Sequence, residues 1–359
     1  MRKEKQEQIA NSNIAIIKTR DSNIELLRII SMILIILHHM VYHTKIYMYS
    51  GRNHFVSLIL LSGGKIAVIL YILIMGYYSK ESKFNIKKPL NIIFKVIIYS
   101  TLFIIIFKDN QHNIEEYTQY WFVNTWIILL FLTPIILRFE KEIPKNVRNI
   151  LFIYITIIFI LPGRKNTDIE GFIYFYLCGR HILPYLVKEF NKPVLNFLII
   201  GILYLFIISF GLEMEQNTIF PLVTAMFVFV IFANMKIKSK WINKISKHSM
   251  GVYLIHDNVN VRNEIIIKRL NMINIFKSRY FLISTFSISV LIFIICAIVD
   301  YLVSFIIENT IFKSEKINNG ISEINRYINN FLNGERVKNE DKQKQNKEHI
   351  NNNNNFVNI

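Results

Sequence analysis

The stretch NIELLRIISMILIILHHMVYH, residues 23–43, decides the fold of this chain. It is apolar over a length that can cross the hydrocarbon core of a bilayer, which takes about 20 helical residues. Within it lie Glu25, Arg28, His38 and His39, whose ionisable side chains are costly in hydrocarbon. Because such side chains usually serve a function, the stretch predicts a transmembrane helix that carries a functional site.

Most of these ionisable residues share one helical face. A helix turns about 100° and rises about 1.5 Å per residue, so Arg28 and His39 differ by roughly 20° in direction and lie roughly 16 Å apart. Glu25 lies one turn before Arg28, and Tyr42 lies one turn after His39. Together these four residues form a polar stripe along the helix, and the side chain of His38 points about 100° away from it. The stripe is expected to face the bundle interior or a water-filled cavity rather than lipid.

The whole chain has the composition of a membrane protein. Of its 359 residues, 52% are hydrophobic and 14% aromatic, and the mean hydropathy is +0.34. This composition excludes a disordered chain and argues against an ordinary soluble domain. A formal net charge of +17 does not indicate a nucleic-acid partner, because the basic residues lie mainly in loops, where topology and anionic lipids account for them.

Apolar segments recur throughout residues 23–311 and predict an all-α transmembrane bundle of about ten helices. The segments are 24–42, 56–77, 90–107, 120–137, 149–161, 171–187, 194–212, 219–235, 250–267 and 280–307. Residues 1–22 predict a cytoplasmic N-terminal segment. Residues 312–359 are polar and end in an asparagine-rich tract, which predicts a disordered cytoplasmic tail of low complexity.

Loop charge supports this topology. With a cytoplasmic N-terminus, the inner loops carry 15 Lys and Arg residues and the outer loops before the last carry 5. This distribution predicts a multi-pass protein of the plasma (inner) membrane with both termini in the cytoplasm. The last outer loop is an exception with five basic residues: Arg262, Lys268, Arg269, Lys277 and Arg279. Either this loop binds an anionic group, or the segment 250–267 is not a true span.

Neither a metal site nor a disulfide is predicted. Cys178 and Cys296 lie in apolar segments, where cysteine usually packs in the core, and two cysteines are too few for a disulfide scaffold. His38 and His39 are adjacent, and the sequence shows no converging set of Cys, His and carboxylate residues.

Five motifs stand in order along the chain. Arg28 and His39 are separated by ten residues within IELLRIISMILIILHH. The other motifs are GGKIAVILYILIMGYYSK at 63–80, YWFVNTWIILLFLTP at 120–134, GFIYFYLCGRHI at 171–182 and SMGVYLIHD at 249–257. In these motifs the chain resembles the acyltransferase-3 family of integral membrane acyltransferases, over about residues 20–310.

The resemblance implies a ten-span membrane enzyme that transfers an acyl group, usually acetyl from acetyl-CoA, to a hydroxyl of a surface glycan or lipid-linked saccharide. It also implies that His39 is essential and that Arg28 is its paired motif residue. The chain departs from the family pattern in the second span, where Met75 replaces the usual Ser before Gly-Tyr. Lys87, Lys88 and, further on, Lys95 replace a following Arg-x-x-Arg.

Imidazole suits this chemistry, because near neutral pH it can remove a hydroxyl proton or carry an acyl group. His39 is therefore the first catalytic candidate, and the other interpretation is a structural histidine bonded to a neighbouring helix. His256, which Asp257 follows, is a second catalytic candidate for proton transfer or for the acceptor side, with core packing as an equal alternative.

Cationic side chains are the candidates for holding the phosphates of CoA at the cytoplasmic face. Arg28, Lys87 and Lys88 are predicted in this role, and Arg180 joins them if it lies in the inner half of its helix. For Arg28 the alternative is a side chain that only extends to the membrane interface. If Arg28 lies at the cytoplasmic mouth of the CoA site, His39 lies deeper in the membrane. The distance between them is comparable to the length of an extended pantetheine arm.

The predicted function is a membrane-bound O-acyltransferase that acetylates a cell-surface or secreted polysaccharide. Two other classes remain open. A transporter or flippase of glycan or lipid intermediates would use the same charged stripe to line a path, and a polysaccharide polymerase is a further multi-span enzyme.

Overall fold

The computed structural model describes residues 21–79, 84–107, 119–161, 167–209 and 219–333, and all regular elements in these ranges are helices. The predicted all-α fold is confirmed. The predictions for the first 20 residues and for the asparagine-rich tract lie outside the described residues.

Fourteen α-helices of six residues or more are described in these ranges. They are α1 (Ser22–His43), α2 (His54–Tyr78), α3 (Lys87–Phe107), α4 (Trp121–Glu142), α5 (Lys145–Ile160), α6 (Asp168–His181), α7 (Leu183–Glu189), α8 (Pro193–Ser209), α9 (Ile219–Ala233), α10 (Lys240–Ile245), α11 (Ser249–His256), α12 (Met272–Lys277), α13 (Phe281–Thr310) and α14 (Glu315–Asn333). Among these described helices, five are long and apolar enough to cross a membrane, namely α1, α2, α3, α4 and α13.

Helices α1 and α2 pack together at the centre of the bundle, and α6 packs on the other side of α2. The contact between α2 and α6 is made backbone to backbone. A Cβ atom at Gly76 would overlap the carbonyl of Tyr176, and one at Gly179 would overlap the carbonyl of Leu73. Small residues allow this close approach, which is typical of helices packed in membranes.

The outer faces of several helices expose large apolar side chains. On α8, Phe197 and Ile202 are exposed, and on α13 the same is true of Ile283 and Phe305. Apolar surface this extensive is unfavourable in water, so these faces are expected to contact lipid.

The predicted ninth span, 250–267, is not one continuous helix. Helix α11 ends at His256, and the chain continues through one α-helical turn, Val259–Val261, into a π-helical turn, Arg262–Ile267. Asn258 interrupts the helix because its side-chain oxygen accepts a hydrogen bond of 3.0 Å from the backbone two residues on.

Residues 315–333 were predicted to belong to a disordered tail, and they form α14 instead. Their apolar residues recur at helical spacing, and Ile321 and Leu332 are buried on one face. The helical period is present in the sequence, but the high asparagine content favours the interpretation as a disordered tail. The segment forms an amphipathic helix because its apolar stripe packs against the bundle.

Candidate active site

The imidazoles of His39 and His256 are in direct contact where α1 packs against α11. His39 Nδ1 lies 3.0 Å from His256 Nε2, and the ring centroids are 5.2 Å apart. His256 is fully buried, and His39 is 9% exposed. The structure thus brings together two predicted catalytic residues that are 217 positions apart in the chain.

A backbone carbonyl sets the protonation of this pair. His256 Nδ1 lies 2.7 Å from the carbonyl oxygen of Val252, and a carbonyl can only accept a hydrogen bond. In the neutral ring Nδ1 therefore carries the proton and Nε2 accepts. His39 Nδ1 is then the donor, so His39 Nε2 keeps its lone pair, and no described residue is hydrogen-bonded to it. A general base or a nucleophile requires this state.

A buried carboxylate adjoins the two rings. Asp257 Oδ1 lies 3.4 Å from His39 Nδ1 and 3.5 Å from His43 Nε2, and the guanidinium of Arg262 lies 3.6 Å away. A negative charge at this place stabilises a positive charge on His39. We call His39, His43, His256 and Asp257 the histidine cluster.

Part of the histidine cluster has the donors of a metal site. His39, His43 and Asp257 each offer one ligand atom, and these atoms lie within 4.8 Å of one another. No local pattern indicates such a set, because only folding brings Asp257 to α1. His39 Nδ1 is already hydrogen-bonded to His256 Nε2, so the geometry fits a pair of imidazoles better than a set of metal ligands.

A cavity of about 450 Å³ lies at the other end of α1. Four cationic residues line it: Arg28, Lys88, Lys95 and Lys247. Apolar and aromatic residues, among them Tyr71 and Trp126, form much of the remaining wall. A cavity with this lining suits a ligand that combines anionic groups with a less polar arm.

Arg28 is held at the cavity by neighbouring residues. Its guanidinium donates a hydrogen bond of 3.0 Å to Glu25, and Ser246 donates one of 2.5 Å to the same carboxylate. The Tyr71 hydroxyl donates to the Arg28 carbonyl over 2.9 Å. Glu25 therefore pairs with Arg28, as their spacing of three residues allows.

Lys95 is neutralised inside the bundle. Its ammonium donates to both oxygens of Asp300, over 2.7 and 2.9 Å, and the hydroxyl of Tyr99 donates to Asp300 over 2.7 Å. His248 Nδ1 lies 2.7 Å from the same carboxylate. This buried network joins α3 to α13, and it leaves Lys95 with less charge to offer a ligand.

A row of aromatic rings stands between the cavity and the histidine cluster. The ring of Tyr71, which lines the cavity, lies 6.1 Å from that of Phe122. Phe122 lies 5.4 Å from Tyr253, and Tyr253 lies 6.3 Å from His39. His39 does not itself line the cavity.

The remaining predicted donor-binding residues lie outside the cavity wall. Lys87 pairs with Glu308 over 2.8 Å, on the outside of the bundle. Arg180 donates to Glu140 over 2.5 Å and to Ser79 over 3.1 Å, and of these two partners Ser79 lines the cavity.

Sequence reasoning missed His43 and Lys247. His43 lies one helical turn beyond His39, so its place on the same face was available from spacing alone. No signal in the sequence identified Lys247, because it is one of five lysines in its loop.

Comparisons with known proteins identify the domain. The acyltransferase-3 family model, described as an acyltransferase domain, matches residues 21–308. Searches of curated proteins and of solved structures gave no match. The matched span contains the whole histidine cluster and most of the cavity wall, whereas α14 lies beyond it.

Proposed function

This chain belongs to the acyltransferase-3 family, and on this premise we propose that it transfers acetyl groups from acetyl-CoA to hydroxyls of a cell-surface or secreted polysaccharide. Membership makes the chain an acyltransferase with membrane helices, and the donor and acceptor are our proposal. The observation that carries the proposal is the hydrogen-bonded pair of His39 and His256, which leaves His39 Nε2 available as a base or nucleophile.

The proposed chemistry uses this one nitrogen. His39 Nε2 removes the proton of the acceptor hydroxyl while the hydroxyl oxygen attacks the thioester carbonyl carbon. The carbon–sulfur bond breaks, and the departing thiolate of CoA takes the proton from the imidazolium. Asp257 stabilises the transient positive charge. In the other order of steps, Nε2 attacks the thioester first and the carbon–sulfur bond breaks to release the thiolate of CoA. The hydroxyl oxygen then takes the acetyl group from the imidazole, and the hydroxyl proton passes through the imidazole to the thiolate.

The cavity supports acetyl-CoA as donor. Of the four cations predicted to hold its phosphates, Arg28 and Lys88 line the cavity, and Lys247 joins them there. The roughly 16 Å between Arg28 and His39 along α1 matches the length of an extended pantetheine arm. The proposal requires this arm to pass Phe122 and Tyr253.

The proposal also includes the number of membrane crossings and the orientation of the chain in the membrane. Five shorter elements, α5, α6, α8, α9 and α11 with its π-helical continuation, add to the five long helices to make ten crossings. The loops that border the cavity are rich in lysine and arginine, which supports a position on the cytoplasmic side of the plasma membrane. Both termini are then cytoplasmic.

The test is transfer of label from acetyl-CoA. Membranes containing the protein should incorporate radiolabelled acetyl into polysaccharide, and His39→Ala should abolish incorporation with no change in the amount of inserted protein. His54→Ala is the matched control, since the His54 side chain lies outside the histidine cluster and is hydrogen-bonded to the nearby backbone carbonyl of Tyr49. Full incorporation by His39→Ala would contradict the proposal. Acceptor movement across the membrane without label would favour a transporter.

A further inference from the structure

Helix α14 forms part of the cavity although it lies beyond the family match. Leu332, near its end, is buried and lines the cavity. Its inner face also packs by Ile321 into a small apolar cluster with Ile86, Ile307 and Phe312. The helix is therefore docked on the bundle and contributes to the wall beside the cationic residues.

The inner face of α14 holds the segment that leads into α3. Asn325 Oδ1 accepts a hydrogen bond of 2.8 Å from the backbone N–H of Ile86. Asn329 Oδ1 accepts one of 3.1 Å from the N–H of Phe84, and Asn329 Nδ2 donates one of 3.1 Å to the Phe84 carbonyl. Two asparagine side chains thus satisfy backbone groups that α3 does not pair itself.

The segment held in this way borders the proposed donor site. Phe84, Asn85 and Lys88 all line the cavity. Asn325 Nδ2 also lies 3.3 Å from Asn85 Oδ1, which fixes that side chain too. The position of these lining residues therefore depends on the two asparagines of α14.

The far end of α14 is held by α4. Arg138 donates to the carbonyl of Phe331 over 2.9 Å, and Lys141 donates to that of Leu332 over 2.9 Å. Cations at the carbonyl end of a helix stabilise it. The guanidinium of Arg138 also lies 4.4 Å from the centre of the Phe331 ring. Helix α14 thus links α3 and α4, which form two walls of the cavity.

We infer that α14 is a donor-site element of this chain that positions Asn85 and Lys88 for the phosphates of acyl-CoA. Asn325 and Asn329 are its positioning residues, and they act through residues 84–86 without touching the donor. The inference rests on the proposed function and adds to it an element outside the family domain.

The experiment compares two thioester donors in the full-length protein. Acetyl-CoA carries the nucleotide phosphates, whereas acetyl-pantetheine has the same thioester without them. In the Asn325→Ala/Asn329→Ala variant, the KM for acetyl-CoA should rise about tenfold, since the four hydrogen bonds that these side chains make with residues 84–86 are lost. Its kcat, its KM for acceptor and its KM for acetyl-pantetheine should not change.

The matched control is Asn319→Ala/Asn333→Ala, at exposed positions of the same helix, and it should behave as the wild type. An unchanged KM for acetyl-CoA in the Asn325/Asn329 variant would overturn the inference. Equal losses with both donors would also overturn it, since they would indicate a purely structural role. If the double variant does not accumulate, the two single variants are measured in the same way. A wild type that transfers no acetyl from acetyl-CoA would overturn the proposed function, and this inference with it.

Discussion

At the residue scale, the backbone carbonyl of Val252 has the greatest effect on the proposed chemistry. It orients the ring of His256, and that ring in turn makes His39 Nδ1 the donor. A histidine held in the opposite tautomer would present an N–H to the substrate, and it could neither remove a proton nor attack a thioester. Two hydrogen bonds thus determine which nitrogen of His39 is unprotonated in the proposed mechanism.

This arrangement predicts the effect of changing His256. His256→Leu removes the acceptor for His39, so kcat should fall by about a hundredfold, within the range for loss of a general base. Since the cavity is untouched, the KM for acetyl-CoA should stay the same. Steady-state kinetics on purified protein in lipid nanodiscs would measure both, with His54→Leu as control. A rise in KM without loss of kcat would contradict the assigned role.

A second residue-scale feature explains the glycine of the motif SMGVYLIHD, residues 249–257. Gly251 lies on α11 directly against Asp300, and a Cβ atom there would overlap the Asp300 carboxylate. A larger residue would displace the acceptor of Lys95 and Tyr99 from its place. The glycine is therefore needed for close packing of a buried ionic network, rather than for backbone flexibility.

At the scale of elements, α2 is the helix on which the site is assembled. It packs along α1, it contacts α6 through backbone, and it contributes Tyr71 to the cavity. The contact with α6 also places Arg180 beside Ser79, at the end of α2. A shift of α6 relative to α2 should therefore disturb the cavity wall as well as the stability of the bundle.

Gly179→Val tests this contact. The new side chain meets the carbonyl of Leu73, a backbone group that cannot rotate away, so the bundle should lose about 1–3 kcal/mol of stability, as overpacking usually costs. The midpoint of thermal unfolding in detergent should fall. Gly201→Val is the matched control, because no other described helix comes within 4 Å of the position of its Cβ. Equal midpoints for the two variants would show that α2 and α6 are not closely packed.

At the scale of the whole molecule, the two ends of α1 face opposite sides of the membrane in the proposed topology. The cavity lies at the end of α1 where the loops are rich in lysine, and the histidine cluster lies at the other end. In the proposed function the donor enters from the cytoplasm, whereas the proposed acceptor is a glycan of the outer surface. In this topology α1 connects the cytoplasmic side with the outer side. This gives a physical reason for the polar stripe that runs along α1 from Arg28 to His39.

Cysteine labelling in intact cells tests this orientation. Lys247→Cys should react with a membrane-impermeant maleimide only after the cells are opened, whereas Met48→Cys, at a site 68% exposed, should react before. Both changes are made in a Cys178→Ala/Cys296→Ala background, although both native cysteines are buried. Labelling of position 247 in intact cells would reverse the proposed orientation.

The sequence by itself determined the helical fold, the long apolar helices and the alignment of Arg28 with His39 on one face of α1. These features depend on the local period of a helix, so residues a few turns apart contain the information. It also named His256 as a candidate, but it could not place it beside His39.

Only the tertiary structure decided which of the predicted residues meet. It paired His39 with His256 and brought Asp257 to both, and it paired Arg180 with Glu140, outside the cavity wall. It also docked α14 on the cavity wall, where sequence composition predicted disorder. Such contacts join residues that are far apart in the chain, and their geometry depends on how all the helices pack, which no local pattern specifies.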